Sequence, residues 1–345
     1  MRGVVFLGNR RAELRQFPDP HAGPGEAVVK VRASGICGSD LHRYRAAAPS
    51  ETITGHEPCG VVAELGAGAP PGVSIGDRVM VHHYGGCGVC EMCSLGYEQL
   101  CQVRPGVIYG GGVGPTAGHG ASADYILVPS RTLVPLPDGL SFEEGAAIAC
   151  GTGTAWNGLK KMNVSGLDTV VVFGQGPVGL SATQAAKAMG ARVIAVDVTP
   201  ERLTLAKELG ADHVINGGDE DPIKAIRSLT GGRGAAAAME TSGNPTARAQ
   251  VLESVRPFGR ACYVGLGSPS TATVDIGRDI IMKVLTVYGS WTFSKAELQE
   301  CARFFVEAKI PLRRQFTHHF SLDQAIEAYR TFDGGATGKC VIVLD

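Results

Sequence analysis

Apolar positions in the chain follow two different rhythms. Up to about residue 150 they come in short alternating stretches such as Ala27–Val31 and Asp77–Val81, separated by Gly- and Pro-rich turns. That pattern predicts short strands. Between about 170 and 290, continuous apolar runs alternate with helical periodicity: Thr169–Phe173, then Val178 to Met189, then Arg192–Val196, then Glu201 to Leu209. Such β-α-β alternation predicts a parallel sheet with helices on both faces. Two further helical patterns, Lys295 to Ala308 and Ser321 to Phe332, precede a last strand, Lys339 to Leu344. No internal repeat or low-complexity segment interrupts this order.

The length of 345 residues suits two domains, and 44% hydrophobic residues suffice for a sizeable core. The 48 glycines and 19 prolines are spread along the chain, as in a protein rich in tight turns. Net charge is −1, with no basic stripe and no charged tail. Nucleic acid is therefore not the expected partner. The apolar patch near Met1 is too short for an export signal. No uncharged apolar run of about 18 residues predicts a membrane span. The expected compartment is the cytoplasm, where ten cysteines point to metal rather than disulfides.

The spacing Cys87-x2-Cys90-x2-Cys93-x7-Cys101 is the strongest local signal. Four thiolates can enclose one tetrahedral zinc and leave no open position, which is a structural role. The glycines at 85, 86, 88 and 96 let the backbone fold tightly around such an ion. A ferredoxin-type iron–sulfur run has a shorter last gap followed by proline, whereas Gln102 follows here. A zinc ribbon for nucleic acid would need two separated Cys-x2-Cys pairs in basic surroundings.

A second constellation is dispersed: Gly35-Ile-Cys37-Gly-Ser39-Asp40-Leu-His42, then Gly55-His56-Glu57, then Cys150. Taken singly, each cysteine or histidine reads as a packed residue. A third motif, Gly174-x-Gly176-Pro177-Val178-Gly179, follows an apolar strand and opens a helix, and the next strand ends in Asp197. That is the dinucleotide fingerprint: a tight turn at Gly174, backbone approach to pyrophosphate at Gly176, close packing at Gly179, phosphates at a helix N-terminus. Asp197 would bond the adenosine ribose hydroxyls and repel a 2′-phosphate, so NAD is favoured over NADP; Arg202 is the competing feature.

Together and in this order, these motifs resemble the zinc-dependent medium-chain alcohol dehydrogenase family over nearly the whole length. The resemblance implies an α/β protein. A GroES-like, mostly β catalytic domain would span 1–154 with a zinc lobe at 85–104. A Rossmann doubly wound domain would span 155–291, and 292–345 would return to the catalytic domain. It implies two zincs per chain, the catalytic one on Cys37, His56 and Cys150 with a fourth position open. Polyol and threonine dehydrogenase relatives place a carboxylate near position 150, and the cysteine here matches the alcohol dehydrogenase branch. Glu57 would sit beside the metal and transiently replace a ligand, while Asp40 would orient His56. Ser39 would take the hydroxyl proton and pass it through the cofactor ribose to His42 during hydride transfer to NAD. Thr241, Ser242, Val264, Gly265, Leu266 and Arg202 would line the cofactor. Lys339 would either reach the pyrophosphate or be an ordinary surface lysine.

By the same resemblance, His83, four residues before Cys87, faces the substrate, with Ala48 leaving room and Trp291, Leu266 and Phe293 as apolar wall. A histidine there favours a polar alcohol, such as a polyol or sugar derivative. The expected partner is a small alcohol or carbonyl compound, in a homotetramer or homodimer. The alternatives are a sugar, polyol or amino-alcohol dehydrogenase and a zinc-free quinone reductase-like or non-catalytic relative. Cys59, Cys262, Cys301 and Cys340 match no motif and are read as packed thiols.

Overall fold

The computed structural model describes residues 1–103, 120–267 and 269–345. Arg104, the last residue of the expected lobe, lies outside the described residues.

The β-α-β region forms one six-stranded sheet in which every pairing is parallel. Its order is His213–Asn216, Arg192–Asp197, Thr169–Phe173, Ala235–Glu240, Val255–Tyr263, Thr286–Gly289. Thr169–Phe173 is the first strand in sequence and sits in the middle. Chain order therefore reverses beside it, which opens a crevice at its C-terminal end. Val170, Val171, Val172 and Phe173 are all buried, as a parallel strand covered on both faces requires. The helix Pro177–Ala188 follows immediately, with Pro177 in its first turn. On the other side of the sheet, Pro222–Leu229 and Pro245–Ser254 are capped by Asp221 and Asn244 side chains.

A second sheet runs Phe316–Ser321, Lys339–Val343, Glu26–Gly35, Glu57–Leu65, Arg78–Val81, Leu133–Pro135, with Tyr125–Pro129 also on Glu26–Gly35. Residues from both ends of the chain thus meet in it. The Ser321–Phe332 pattern resolves differently from its periodicity. Phe316–Ser321 is a strand parallel to Lys339–Val343, and the helix proper is Ala325–Asp333. A capping box at Ser321 and Gln324 marks the change. The N-terminal apolar patch is a strand, Arg2–Gly8, paired with Arg11–Gln16 through a turn in which Asn9 and Arg10 both have positive φ. These two strands and Ser50–Ile53 make a small third sheet.

A continuous helical run joins the two large sheets. It opens at the Ser141–Glu144 capping box, continues through Phe142–Ala147, loosens to a π-helical turn at Ile148–Thr152, and resumes as Gly153–Lys161. Cys150 lies in that turn. A π turn re-aims side chains within a helix and often marks a functional site. The core around it includes Met80, Trp156, Leu180 and Phe293, contributed from both halves.

Candidate active site and metal centres

Strand register starts the site. Gly35 ends its strand opposite Glu57, and Val341 pairs with Gly35 from the other side. The chain then leaves the sheet at Ile36–Cys37 and enters the short helix Asp40–Arg45. Cys37, His56, Glu57 and the π-turn Cys150 therefore converge, and one donor atom from each lies within 4.8 Å of the others. His56 Nδ1–H donates to Asp40 Oδ1 at 2.9 Å, and Asp40 Oδ2 accepts the Cys37 amide at 3.0 Å. One carboxylate thus fixes the imidazole and the thiol-bearing turn together. Ser39 Oγ lies 3.3 Å from Cys37 Sγ and 3.4 Å from His56 Nε2. His42 is exposed on the same short helix.

The electrostatics favour a cation at this point. Hydrogen bonding with Cys150 draws the Cys37 thiol well below its ordinary range, and the same contact raises Cys150 well above. The pair shares one proton where a metal would replace it. Burial opposes charge on His56, but Asp40 and the Cys37 thiolate outweigh it and hold its pKa well above the usual value. Burial lifts Glu57 to about 7 despite the opposing Lys339. Glu57 Oε1 is buried without a hydrogen-bond partner. Two thiolates, an imidazole and a carboxylate around one point suit zinc.

Cys87, Cys90, Cys93 and Cys101 form the second cluster, again with sulfurs within 4.8 Å. Cys87 and Cys90 amides donate to Cys101 Sγ at 3.2 Å and Cys87 Sγ at 3.3 Å. Backbone amides of Cys93 and Gln102 bring the Cys90 thiol down to about 6, while burial pushes Cys93 up to about 12. Gly86 has φ +48, and a Cβ on it would lie 2.8 Å from Cys93 Sγ. Arg131 bonds the carbonyls of Gly85 and Gly86 from outside the lobe. Nothing in the cysteine spacing announces that strap.

The glycine motif fits a dinucleotide. Gly174 has φ +87, and a Cβ on Gly179 would lie 1.8 Å from the Gly174 carbonyl oxygen. A Cβ on Gly176 would meet nothing within 4 Å. The loop is closed at one glycine and open at the other, as a cradle for a pyrophosphate must be. Asp197 is buried at its strand end and accepts from the Gln175, Val198 and Thr199 amides. Arg202 Nε donates to the Thr337 carbonyl at 3.2 Å. Thr241 Oγ1 bonds the Phe173 and Gly174 carbonyls, and Ser242 Oγ bonds Glu240. Gly265 fits against Gly243 and Glu240, with a Cβ position 2.3 Å from Gly243 N. The two sites adjoin: Thr152, two residues after Cys150, is 2.8 Å from Ser181 on the cofactor-side helix, and Gly151 faces Val178.

Three expected placements change. Lys339 is neither at a pyrophosphate nor on the surface: it is 1% exposed, ion-paired to Glu57, and donates to the Ile36 carbonyl at 2.9 Å. Ala48 is exposed between the helix Asp40–Arg45 and the strand Ser50–Ile53. Trp291 and Leu266 are 42% and 71% exposed and border a cavity of about 720 Å³ that also touches Tyr97 and Leu100. Phe293, by contrast, is buried against His82 and His83. His83 is buried with its ring 5.6 Å from that of His56, and its Nδ1–H donates to the Ala149 carbonyl at 2.9 Å. Burial and the neighbouring His56 and His82 hold it well below the usual histidine range. The four remaining cysteines, Cys59, Cys262, Cys301 and Cys340, are buried packed thiols.

A parallel nucleotide-binding sheet, an adjoining open metal cluster and a closed four-thiolate lobe together define a metal-dependent dehydrogenase. Residues 23–138 match the family model described as alcohol dehydrogenase GroES-like domain, and 177–307 match the zinc-binding dehydrogenase model. An uncharacterised zinc-type alcohol dehydrogenase-like protein of Escherichia coli K12, YphC, is 39% identical over 99% of this chain and 98% of its own. An L-threonine 3-dehydrogenase of Pyrococcus horikoshii is 35% identical over 96% and 95%. The solved alcohol dehydrogenase of Thermus sp. ATN1 superposes with a TM-score of 0.90 at 32% identity, covering all of both chains. The chain belongs to the zinc-dependent medium-chain alcohol dehydrogenase family. It is an oxidoreductase of that family, built for reversible hydride transfer between an alcohol and a nicotinamide cofactor. Among the described residues, no helix is long and apolar enough to cross a membrane.

Proposed function

We propose that the chain is an NAD-specific dehydrogenase with two zincs, oxidising a polar primary or secondary alcohol to an aldehyde or ketone. The observation that carries this reading is the convergence of Cys37, His56, Glu57 and Cys150 within 4.8 Å beside the open Gly176 cradle. Zinc held by Cys37, His56 and Cys150 supplies Lewis acidity toward the substrate oxygen, and nicotinamide supplies the hydride acceptor. The protein's own residues do the rest. Asp40 holds His56 in one tautomer. Ser39 Oγ, beside Cys37 and His56, receives the hydroxyl proton, and the exposed His42 exchanges it with solvent. The Cys87–Cys101 lobe holds the second zinc. Asp197 accepts the ribose hydroxyls and disfavours a 2′-phosphate, with Gly174–Gly179, Arg202, Thr241, Ser242 and Val264–Leu266 lining the rest of the cofactor.

The polar substrate rests on His83. With Nδ1–H committed to Ala149 O, Nε2 is left as an acceptor for a second hydroxyl. A polyol, sugar or amino alcohol uses that acceptor; a simple alkanol does not. The sorbitol and threonine dehydrogenases among the relatives support this narrower class. Expected boundaries remain 1–154, 155–291 and 292–345, as the sheet assignments support. A homodimer or homotetramer is supported by the outer edge of Thr286–Gly289, which no described strand covers, and by exposed Ile281, Met282, Val284 and Val287 alongside. Ten free thiols support a reducing, cytoplasmic setting.

The test is metal analysis with a substrate panel. Two zincs per chain are expected, with NAD-linked oxidation of polyols or amino alcohols exceeding that of ethanol. Ser39→Ala should retain both zincs and lose most turnover. Unchanged turnover in that variant sinks the proton path, and a zinc-free active protein sinks the whole reading.

A further inference from the structure

The buried pair Lys339–Glu57 is not needed to hold the sheet together, and its surroundings are shaped for it. Lys339, Gly35 and Glu57 lie on three neighbouring strands, with Gly35 in register with Glu57 on one side and Val341 on the other. A Cβ on Gly35 would lie 2.0 Å from a Glu57 carboxylate oxygen and 3.0 Å from Lys339 Cε. Only glycine leaves room for the pair at that point. Lys339 also donates to the carbonyl of Ile36, the residue before Cys37. Its ammonium therefore ties Glu57 to the turn carrying a metal-site thiol. It engages Glu57 Oε2, whereas Oε1 is buried and unpartnered. An acceptor buried in that state is costly unless something fills it.

Charge points the same way. Two thiolates neutralise a divalent ion at Cys37, His56 and Cys150, so an added carboxylate would leave one excess negative charge. Lys339 cancels that excess inside the protein, where an uncompensated charge is expensive. We infer that Lys339 is a positioning residue that makes Glu57 an available donor to the catalytic metal, holding one oxygen and leaving the other free to turn toward the ion. Lys339 touches neither substrate nor reacting atoms; it acts through Glu57. This rests on the metal-site reading above.

The experiment uses full-length protein with zinc in the Cys87–Cys101 lobe and cobalt(II) exchanged into the Cys37–His56–Cys150 site. Its readouts are the visible cobalt spectrum and the rate of cobalt removal by a chelator. Lys339→Met and Glu57→Gln should each shift the spectrum and speed removal by about tenfold or more, the usual scale for groups supporting a metal ligand. Lys339→Arg should restore wild-type behaviour. The double variant Lys339→Met/Glu57→Gln should match Glu57→Gln alone. Because it removes both buried charges, it also tests the idea if Lys339→Met alone fails to fold. Additive effects, or a Lys339→Met protein identical to wild type while Glu57→Gln differs, would overturn the inference and leave the metal site standing. A wild-type protein that accepts no ion beyond the one in the lobe would overturn both.

Discussion

Gly176 and Gly179 lie three residues apart in one motif, yet the structure assigns them opposite sensitivities. Gly176 caps the helix Pro177–Ala188 at φ −69 and ψ −175, ordinary extended backbone, and a Cβ there meets no atom within 4 Å. Gly176→Ala should therefore fold normally. It should even gain up to about 1 kcal/mol, because alanine restricts the unfolded chain. The same methyl occupies the space reserved for the pyrophosphate. Taking the ordinary cost of one excess methyl in a packed site, about 1–3 kcal/mol, NADH binding should weaken roughly 5- to 150-fold. At Gly179 the new Cβ would sit 1.8 Å from the Gly174 carbonyl oxygen and 2.9 Å from Thr241 Oγ1. Backbone cannot yield as a side-chain tip can, so Gly179→Ala should lose about 1–3 kcal/mol or more of stability as well as binding. The assays are urea unfolding followed by fluorescence and NADH titration of each variant. If Gly176→Ala binds NADH like wild type, the open side of the loop is not the pyrophosphate seat. If both variants unfold at the same urea concentration, the packing argument fails.

The charge and pH arguments make two further predictions. Asp197→Asn keeps an oxygen for the Val198 and Thr199 amides but removes the charge. NAD-over-NADP discrimination in kcat/KM should then fall at least about tenfold, the effect of about 1.4 kcal/mol, mainly through better use of NADP; unaltered discrimination would mean that Asp197 does not meet the ribose. Although burial opposes it, Arg2 holds Asp124 below the ordinary carboxylate value through paired hydrogen bonds. A depressed pKa stabilises the fold above the unfolded value and loses that contribution as pH falls through the folded one. Asp124→Asn should thus cost up to about 1 kcal/mol at pH 7, since the pair is partly exposed, and nothing once pH is well below 3.8; a pH-independent difference in urea midpoint would contradict the linkage.

How far each part of the site was legible depends on how far apart its residues lie. The Cys87–Cys101 cluster is readable because all four ligands fall in one short segment and spacing alone brings them together. The Gly174–Gly179 motif is readable because a strand, a turn and a helix are consecutive. Cys37, His56 and Cys150 come from three separate elements, and only a family resemblance joined them before the sheet register and the π turn did so in space. Periodicity had no means of marking that π turn, because every residue from Ile148 to Thr152 is buried. It also misread Phe316–Ser321, whose side chains alternate between partial burial and exposure and whose strand character comes from pairing with Lys339–Val343. Lys339 shows the limit most clearly. A lysine at the start of an apolar strand reads as a surface residue or a phosphate contact, because lysine is rarely buried unless paired. Its partner Glu57 lies 282 residues away in sequence. The one local clue is Gly35, and its meaning appears only when three strands are placed side by side. A glycine that a strand would otherwise disfavour is the mark left in the sequence by a buried ion pair that the sequence itself does not join.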